Sequence, residues 1–373
     1  MSDASPRTFA IVTGGGTAGH VLPALAIAEA LVEAGHPRAS VHYAGSERGL
    51  EARLVPTTGF PMTLLPGRGI QRRLTLDNVG AVLGLLVAVG RAVRLVGRLR
   101  PSVVIAVGGY ASVAVSLAAA LRRIPIVVAE QNAVPGAANR LIARFARASA
   151  VSFPGTPLPR AVLTGNPVRA EIAAIDPDRD RSAARAALGV APDRRLALVT
   201  GGSLGARRIN EAVVAALPSW RGRTNLAIHH VVGRRDWDAI RAEVPADLDG
   251  LDYRPVEYED DMASALAAAD LAVCRSGSGT CFELAAVGLP SVLVPSPVVT
   301  ADQQTRNARH LVDAGAAVLV PDAELDGARL VAEVDRLLAD DDRRRAMATA
   351  ARAWARPDAA RAIAALAEEH ARG

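Results

Sequence analysis

Two copies of one local pattern, half a chain apart, constrain this sequence more than any other feature. Segments 12–19 (VTGGGTAG) and 199–206 (VTGGSLGA) each close an apolar β-branched run, pass a glycine-rich turn and enter a helical pattern. A strand, a glycine-rich turn and a helix in this order are typical of the start of a nucleotide-binding parallel sheet. A chain of 373 residues is long enough for two such domains. We therefore predict two Rossmann-like domains in tandem that face a central cleft.

The rest of the sequence keeps the same rhythm of short β-branched runs and longer stretches of helical period. In the first half the predicted strands are 9–13, 41–44, 103–107 and 126–129, and the predicted helices are 23–34, 76–99 and 111–121. In the second half the strands are 196–200, 227–232, 271–274 and 291–294, and the helices are 206–217, 262–269 and 280–287. This alternation predicts an α/β fold with a parallel, doubly wound sheet in each half.

Proline and charge mark the predicted boundaries. Stretch 153–181 is rich in both and is the predicted linker, and Pro357 separates two predicted terminal helices at 340–356 and 358–372. We expect a first domain over 1–168, a second over 169–345, and helices over 346–373 that could cross back to the first domain.

Composition excludes several mechanisms. The sequence has no lysine, so all 43 of its basic residues are arginine, and a Walker-A or Schiff-base lysine is ruled out. Aromatic residues make up 3% and the net charge is only +5, so we expect no nucleic-acid partner. The two cysteines, Cys274 and Cys281, cannot form a disulfide framework and indicate a reducing cytosol. We expect no signal peptide, and the apolar run 79–90 is too short to span a bilayer.

The first glycine-rich turn fits G-x-G-x-x-G through Gly14, Gly16 and Gly19. A dinucleotide site also requires an acid at the end of the second strand, whereas the first acid here, Glu47, lies beyond it. The turn therefore favours an anion or sugar held by backbone N–H groups, with a tight structural turn as the alternative. His20 follows directly, and a neutral imidazole there is a candidate general base, although lone histidines are often structural.

Further polar residues follow the predicted strands of the first half. Tyr110, Glu130 and Asn132 lie at the carboxyl ends of neighbouring strands. Because such ends meet at one edge of a parallel sheet, these side chains could hydrogen-bond a sugar or an acceptor. The alternative is that they cap loops.

In the second half, segment 274–283 follows a predicted strand and opens the predicted helix 280–287. The N–H groups of Ser278, Gly279 and Thr280 suit a diphosphate, and Glu283, one turn later, could accept both hydroxyls of a ribose. A capping box from Thr280 to Glu283 is the alternative. Gln303 and Gln304 carry neutral amides suited to sugar hydroxyls. The Asp-x-Asp pairs of the chain lie in charged surface segments, so no metal site is predicted.

The ordered motifs resemble one family in particular. The loop 15–24 (GGTAGHVLPA) is followed by GGY at 108–110, EQN at 130–132, GNPVR at 165–169, GGSLGAR at 201–207, DDM at 260–262, CRSG at 274–277 and DQQ at 302–304. Together they closely resemble the MurG family, the membrane-associated N-acetylglucosaminyltransferases of peptidoglycan synthesis, which have the GT-B architecture. The resemblance covers residues from about 9 to about 320.

The resemblance implies a reaction and its partners. N-acetylglucosamine would pass from UDP-N-acetylglucosamine to the C4 hydroxyl of a muramoyl-pentapeptide on undecaprenyl diphosphate, with inversion and without metal or cofactor. The protein would work peripherally at the cytoplasmic face of the membrane. Arg68, Arg72 and Arg73 before the apolar segment 74–89 could rest on anionic lipid, or the segment could be an ordinary buried helix.

The resemblance also implies site residues. His20 would be the base, with Glu130 as the alternative, and Glu259 would contact uracil through its backbone although the family favours an apolar residue there. The remaining substrate-binding residues would be Thr17, Ala18, Gly19, Tyr110, Asn132, Arg169, Ser203, Ser278, Gly279, Thr280, Cys281, Phe282, Glu283, Gln303 and Gln304. Three alternatives stay open: a UDP-N-acetylglucosamine epimerase, a transferase with another lipid acceptor, and a non-catalytic nucleotide-sugar-binding protein.

Overall fold

A computed structural model of the chain describes residues 7–66, 77–202 and 205–372, with the backbone alone for 77–83. The chain divides into two compact units, the first Met1–Arg169 with Arg356–Gly373 and the second Ala170–Ala355. The boundaries expected from the sequence, after residues 168 and 345, both lie before these.

The first unit contains a parallel sheet whose strands run in the order β3-β2-β1-β4-β5-β6-β7. Its elements are β1 (Ala10–Gly14), α1 (Ala18–Glu33), β2 (Val41–Ser46), α2 (Glu51–Leu54), β3 (Met62–Leu65), α3 (Asp77–Leu99), β4 (Val103–Gly108), α4 (Tyr110–Leu121), β5 (Ile126–Glu130), α5 (Ala137–Ile142), β6 (Ala148–Val151) and β7 (Ala161–Leu163).

The second unit repeats this arrangement in the order β10-β9-β8-β11-β12-β13, again all parallel. Its elements are α6 (Ala170–Ala173), α7 (Pro177–Leu188), β8 (Arg195–Thr200), α8 (Arg207–Trp220), β9 (Leu226–Val231), α9 (Trp237–Glu243), β10 (Asp252–Val256), α10 (Met262–Ala268), β11 (Leu271–Cys274), α11 (Ser278–Val287), β12 (Ser291–Leu293), α12 (Gln303–Asp313), β13 (Ala317–Leu319), α13 (Gly327–Leu338) and α14 (Asp341–Trp354). The predicted fold class, two Rossmann-like parallel sheets, is confirmed.

The first sheet is covered on both faces, as buried parallel sheets require. Alternate residues of β1 point to opposite faces, so Ala10 and Val12 join one apolar cluster while Ile11 joins the other. The last helix, α15 (Ala359–His370), contributes Ile363 and Leu366 to the first of these clusters, beside α1. The C-terminal helix thus packs within the first unit.

Two helices begin earlier than the sequence predicts. The predicted start of α1 at Pro23 is wrong, because the helix begins at Ala18 and takes Pro23 into its interior. Likewise α11 begins at Ser278 rather than Thr280. In both cases the first turn contains a glycine, whose low helix propensity does not predict helical backbone. His20 therefore lies inside the first turn of α1.

The sequence predicts too few strands, since β3, β6, β7, β10 and β13 are not among the predicted ones. The strands β6, β7 and β13 are short and alanine-containing, so they lack the β-branched run that identifies a strand. The predicted linker 153–181 contains β7, which pairs in parallel with β6, and also includes α6 and the first turn of α7.

Candidate active site

The first glycine-rich turn joins β1 to α1 at the carboxyl edge of the first sheet. Gly16 has φ +94°, a conformation that favours glycine, and Thr17 is the N-cap of α1. Thr17, Ala18 and Gly19 are exposed. Within the described chain, the N–H groups of Ala18 and Gly19 have no hydrogen-bond partner. They point from a helix N-terminus, where backbone N–H groups bind anions.

His20 lies half-buried behind this exposed turn. Its Nδ1 is 3.4 Å from the Thr17 hydroxyl, and a Cβ on Gly108 would stand 2.9 Å from its Cδ2. The imidazole thus packs against the glycine pair that ends β4. Burial lowers the pKa of His20, while Glu130, the Gly15 backbone and Glu51 oppose that change. The ring is therefore neutral near pH 7 and can accept a proton.

Glu130, the alternative base, is buried and already fully bonded. One carboxylate oxygen accepts the Asn132 N–H at 2.9 Å, and the other accepts the Gly136 N–H at 3.0 Å and the Asn139 amide at 2.9 Å. Its side chain is 3% exposed. This geometry makes Glu130 the organiser of the loop after β5, and it favours His20 as the proton acceptor.

Tyr110 opens α4 on the same edge of the sheet. Its hydroxyl is buried and has no hydrogen-bond partner among the described residues, and burial raises its pKa, so it stays protonated. Asn132 begins the loop that Glu130 holds. The structure therefore brings Thr17–Gly19, His20, Tyr110, Glu130 and Asn132 to one edge of the first sheet.

In the second unit, β11 ends in a turn that opens α11. Gly277 is the N-cap of the helix, and the Cys281 N–H bonds to the Gly277 carbonyl at 3.0 Å. The N–H groups of Ser278, Gly279 and Thr280 have no backbone partner in the described chain. A Cβ on Gly279 would meet nothing within 4 Å. This helix N-terminus is open to an anion such as a diphosphate.

Two predicted residues of α11 cannot use their side chains at the surface. Cys281 is 0% exposed and Phe282 is 1% exposed, and the Phe282 ring packs 4.7 Å from that of Trp354. Any ligand contact of these residues would have to come from the backbone. Burial raises the pKa of the neighbouring thiol of Cys274 to about 12, so it stays protonated. Glu283 is half-buried one turn into the helix.

Helix α12 is tied to the turn before α11. The Ser276 hydroxyl donates to the Gln304 carbonyl at 2.9 Å, and the Asn307 amide donates to the Ser276 carbonyl at 3.3 Å. The Gln304 side chain accepts the Ser296 N–H at 2.8 Å. Gln304 therefore fixes the loop before α12, and the half-buried Gln303 lies in the first turn of that helix.

The other predicted residues are more dispersed. Glu259 follows β10, where its carboxylate lies 2.7 Å from His229 Nε2 and accepts the Asp261 N–H at 2.8 Å. Because the carboxylate is engaged in this way, the backbone of Glu259 is the part left for the predicted contact with a nucleotide base. Arg169 ends the first unit, and Ser203, like Arg68, Arg72 and Arg73, lies outside the described residues.

Sequence reasoning missed two residues that shape the first site. Glu51 is a buried carboxylate that accepts the Gly16 N–H at 3.0 Å. The Ser112 hydroxyl is 2.8 Å from the Thr13 and Gly108 carbonyls and accepts the Gly108 N–H at 3.1 Å. For Glu51 a signal exists, because it closely follows two glycines, Gly45 and Gly49. Ser112 looks like any small residue of a helix.

Metal-binding clusters and membrane-spanning helices are both absent from the described residues. No group of three or more His, Cys, Asp or Glu side chains there could hold a metal ion. In the same part of the chain, no helix is long and apolar enough to cross a membrane.

Comparisons with known proteins agree with this geometry. The model of the glycosyltransferase family 28 N-terminal domain matches residues 10–151, and the model of the family 28 C-terminal domain matches residues 196–363. The two matches cover most of both units.

Individual relatives are also similar over nearly their full length. A UDP-N-acetylglucosamine–N-acetylmuramyl-(pentapeptide) pyrophosphoryl-undecaprenol N-acetylglucosamine transferase of Salinibacter ruber is 45% identical, covering 98% of this chain and 96% of the relative. The crystal structure of Acinetobacter baumannii MurG has a TM-score of 0.76 at 29% identity, covering 97% of this chain and 99% of its own. A Neisseria meningitidis UDP-GlcNAc 2-epimerase bound to UDP-GlcNAc has a TM-score of 0.67 at 13% identity, covering 97% and 100%. This last likeness concerns the fold alone.

Proposed function

We propose a reaction for this chain from one established premise: the chain belongs to the MurG family within glycosyltransferase family 28. It transfers N-acetylglucosamine from UDP-N-acetylglucosamine to the undecaprenyl-diphosphate-linked N-acetylmuramoyl-pentapeptide, a step of peptidoglycan synthesis. The 45% identity over 98% of the chain carries this conclusion. The two edge sites supply the base and the anion-binding groups that the reaction requires.

We infer that the transfer inverts the anomeric centre in one displacement. His20 takes the proton of the acceptor C4 hydroxyl, the oxygen forms a bond to the anomeric carbon, and the bond to the UDP oxygen breaks. The neutral state of His20, produced by burial, supports this role. In this proposal Thr17, Ala18 and Gly19 line the acceptor or the donor sugar, together with Tyr110 and Asn132.

The nucleotide of the donor is assigned to the second unit. The open N-terminus of α11 at Ser278, Gly279 and Thr280 receives the diphosphate, and Glu283 receives the ribose hydroxyls. Gln303 reads the sugar hydroxyls, Arg169 and Ser203 meet the phosphates, and the backbone of Glu259 contacts uracil. Helix N–H groups and arginine stabilise the departing diphosphate, so we propose that no metal is required. Full activity in excess EDTA is the expected result.

We propose peripheral binding at the cytoplasmic face of the membrane. Among the described residues, α3 exposes Leu86 (64%) and Val87 (52%), and α4 exposes its last residue, Leu121 (72%). Arg122 and Arg123 follow Leu121 directly and are also exposed. Apolar side chains beside arginine suit an anionic lipid surface. Leu121→Asp should reduce co-sedimentation with phosphatidylglycerol vesicles severalfold. Val298→Asp, a control on the second unit at an 88% exposed position, should not.

The function is tested by incubating the protein with labelled UDP-N-acetylglucosamine and the lipid-linked muramoyl-pentapeptide. We expect label in the lipid product, released UDP, and no reaction without acceptor. Consumption of the sugar nucleotide without acceptor, with an epimerised sugar, would replace the proposal with the epimerase alternative. Donor binding with neither reaction would leave a binding protein, and transfer to a different lipid alone would change the acceptor.

A further inference from the structure

Glu51 lies beneath the first glycine-rich turn, at the start of the short helix α2. Its side chain is 0% exposed. A fully buried carboxylate is costly unless it is well bonded. Among the described residues, no arginine or histidine forms an ion pair with it.

The carboxylate instead joins two backbone segments. One oxygen accepts the Gly16 N–H at 3.0 Å and the other accepts the Ser46 N–H at 2.7 Å. The turn after β1 is thereby tied to the end of β2. The Gly16 N–H points inward to Glu51 and is not available to a ligand.

Three glycines provide the space for this side chain. A Cβ on Gly15, Gly45 or Gly49 would overlap atoms of the Glu51 side chain. None of the three has a positive φ, so their backbone conformation does not require glycine. The volume of the Glu51 side chain is what excludes larger residues at these positions.

Tyr43 completes the support of the turn. Its hydroxyl donates to the Gly14 carbonyl at 2.7 Å. Burial, and then the charge of Glu51, raise the pKa of Tyr43, so the phenol stays a donor. With the Gly15 N–H bonded to the Gly108 carbonyl at 3.2 Å, residues 14, 15 and 16 are all fixed.

The same carboxylate acts on His20 through space. Two acids, Glu130 at the end of β5 and Glu51 in α2, raise the pKa of His20 against the effect of burial, and so does the Gly15 backbone. Each of these charges favours the imidazolium over the neutral ring.

We propose that Glu51 is a positioning residue for the transfer reaction, fixing the turn that presents His20 and stabilising the imidazolium formed when His20 accepts the proton. This inference rests on the proposed function and on the base role of His20. It assigns a purpose to the three glycines around Glu51.

The test compares Glu51→Gln with Glu47→Gln, in which the lost carboxylate is exposed and lies 3.7 Å from Arg91. In Glu51→Gln the amide NH₂ faces a backbone N–H donor and the charge is gone. We expect kcat to fall about tenfold to a hundredfold, with KM for UDP-N-acetylglucosamine within about twofold, since the nucleotide of the donor is assigned to the second unit. The acidic limb of the kcat–pH profile should move to lower pH, because removing the charge lowers the pKa of His20. Glu47→Gln should change neither.

Glu51→Asp serves if the glutamine variant does not fold. It keeps the charge but shortens the reach, so kcat should fall while the acidic limb stays in place. Wild-type kcat with an unmoved acidic limb in a folded Glu51→Gln protein would overturn the inference. Where Glu51→Gln does not fold, wild-type kcat in Glu51→Asp would overturn it. An inactive wild-type protein would instead reject the proposed function.

Discussion

The first six strands of the two sheets follow the same order, yet the start of the helix that follows the fourth strand differs between them. In the first unit, the turn before α4 is closed, because Ser112 binds the Gly108 N–H and Gly109 packs against the Gly15 carbonyl. In the second, a Cβ on Gly279 in the first turn of α11 would meet nothing within 4 Å. The space beside the glycine at the helix start is therefore filled by backbone in one unit and open in the other.

The buried acids differ as well. In the second unit, Asp236, Asp270 and Glu333 each pair with two arginines. In the described part of the first unit, Glu51 and Glu130 bond only to backbone and amide N–H groups. Their uncompensated charge favours a protonated imidazole nearby. This difference supports the proposal that proton transfer takes place at the first unit, whereas the anionic part of the donor binds the second.

The largest expected effect is that of His20→Ala. Loss of a general base costs about 10²–10⁴-fold in rate, so we expect kcat to fall by at least about a hundredfold. The KM for UDP-N-acetylglucosamine should remain within about twofold. Steady-state kinetics with the lipid acceptor measure both values. A raised KM for the donor with unchanged kcat would place His20 in the donor site instead.

The reverse pattern is expected for Glu283→Ala. Hydrogen bonds to a charged group contribute about 1.5–3 kcal/mol, so donor KM should rise about tenfold to a hundredfold while kcat changes little. Glu211→Ala, at an exposed position of α8, is the control. If Glu283→Ala lowered kcat alone, the ribose assignment would be rejected.

Two glycine-to-alanine changes should separate the two turns by stability. In Gly15→Ala the methyl overlaps Glu51, and overpacking of this kind costs about 1–3 kcal/mol, so the melting temperature and kcat should both fall. In Gly279→Ala the methyl enters open space, and the helix gains about 0.5–1 kcal/mol. There only donor KM should rise. Equal thermal stability of the two variants would contradict the difference between the turns.

The smallest expected effect concerns pH. Burial holds the pKa of His20 below 6.5, so the base remains neutral at that pH and activity is kept. As pH falls through the folded pKa, the ring protonates and kcat declines. The unfolded chain binds this proton at higher pH, so His20 also lowers stability as pH falls below about 6.5. A kcat–pH profile with its acidic limb above pH 6.5 would contradict this.

The repeated turn and the polar residues at the strand ends could be predicted from the sequence, because both depend on residues that are close together in the chain. His20, Tyr110, Glu130 and Asn132 lie on one sheet edge, as the rule for parallel strands predicts. The start of α11 at Ser278 is seen in the backbone geometry. The serine and glycine residues at this position do not indicate it, because neither favours a helix.

What the sequence could not show depends on long-range packing. The role of Glu51 requires that β2 and the turn after β1 lie side by side, 35 residues apart in the chain for Glu51 and Gly16. The engagement of Glu130 by Asn139 and Gly136 likewise appears only when the loop is folded. Burial of Phe282 depends on α14, through Trp354.

The central claim is that the first unit carries the proton transfer and the second binds the donor nucleotide. It is tested most directly by two measurements on the His20→Ala protein. Its affinity for UDP-N-acetylglucosamine is measured by calorimetry, and its single-turnover transfer rate is measured at saturating donor. We expect wild-type affinity with a rate lowered at least about a hundredfold. Wild-type rate, or a loss of affinity that accounts for the whole loss of rate, would contradict the assignment of proton transfer to the first unit.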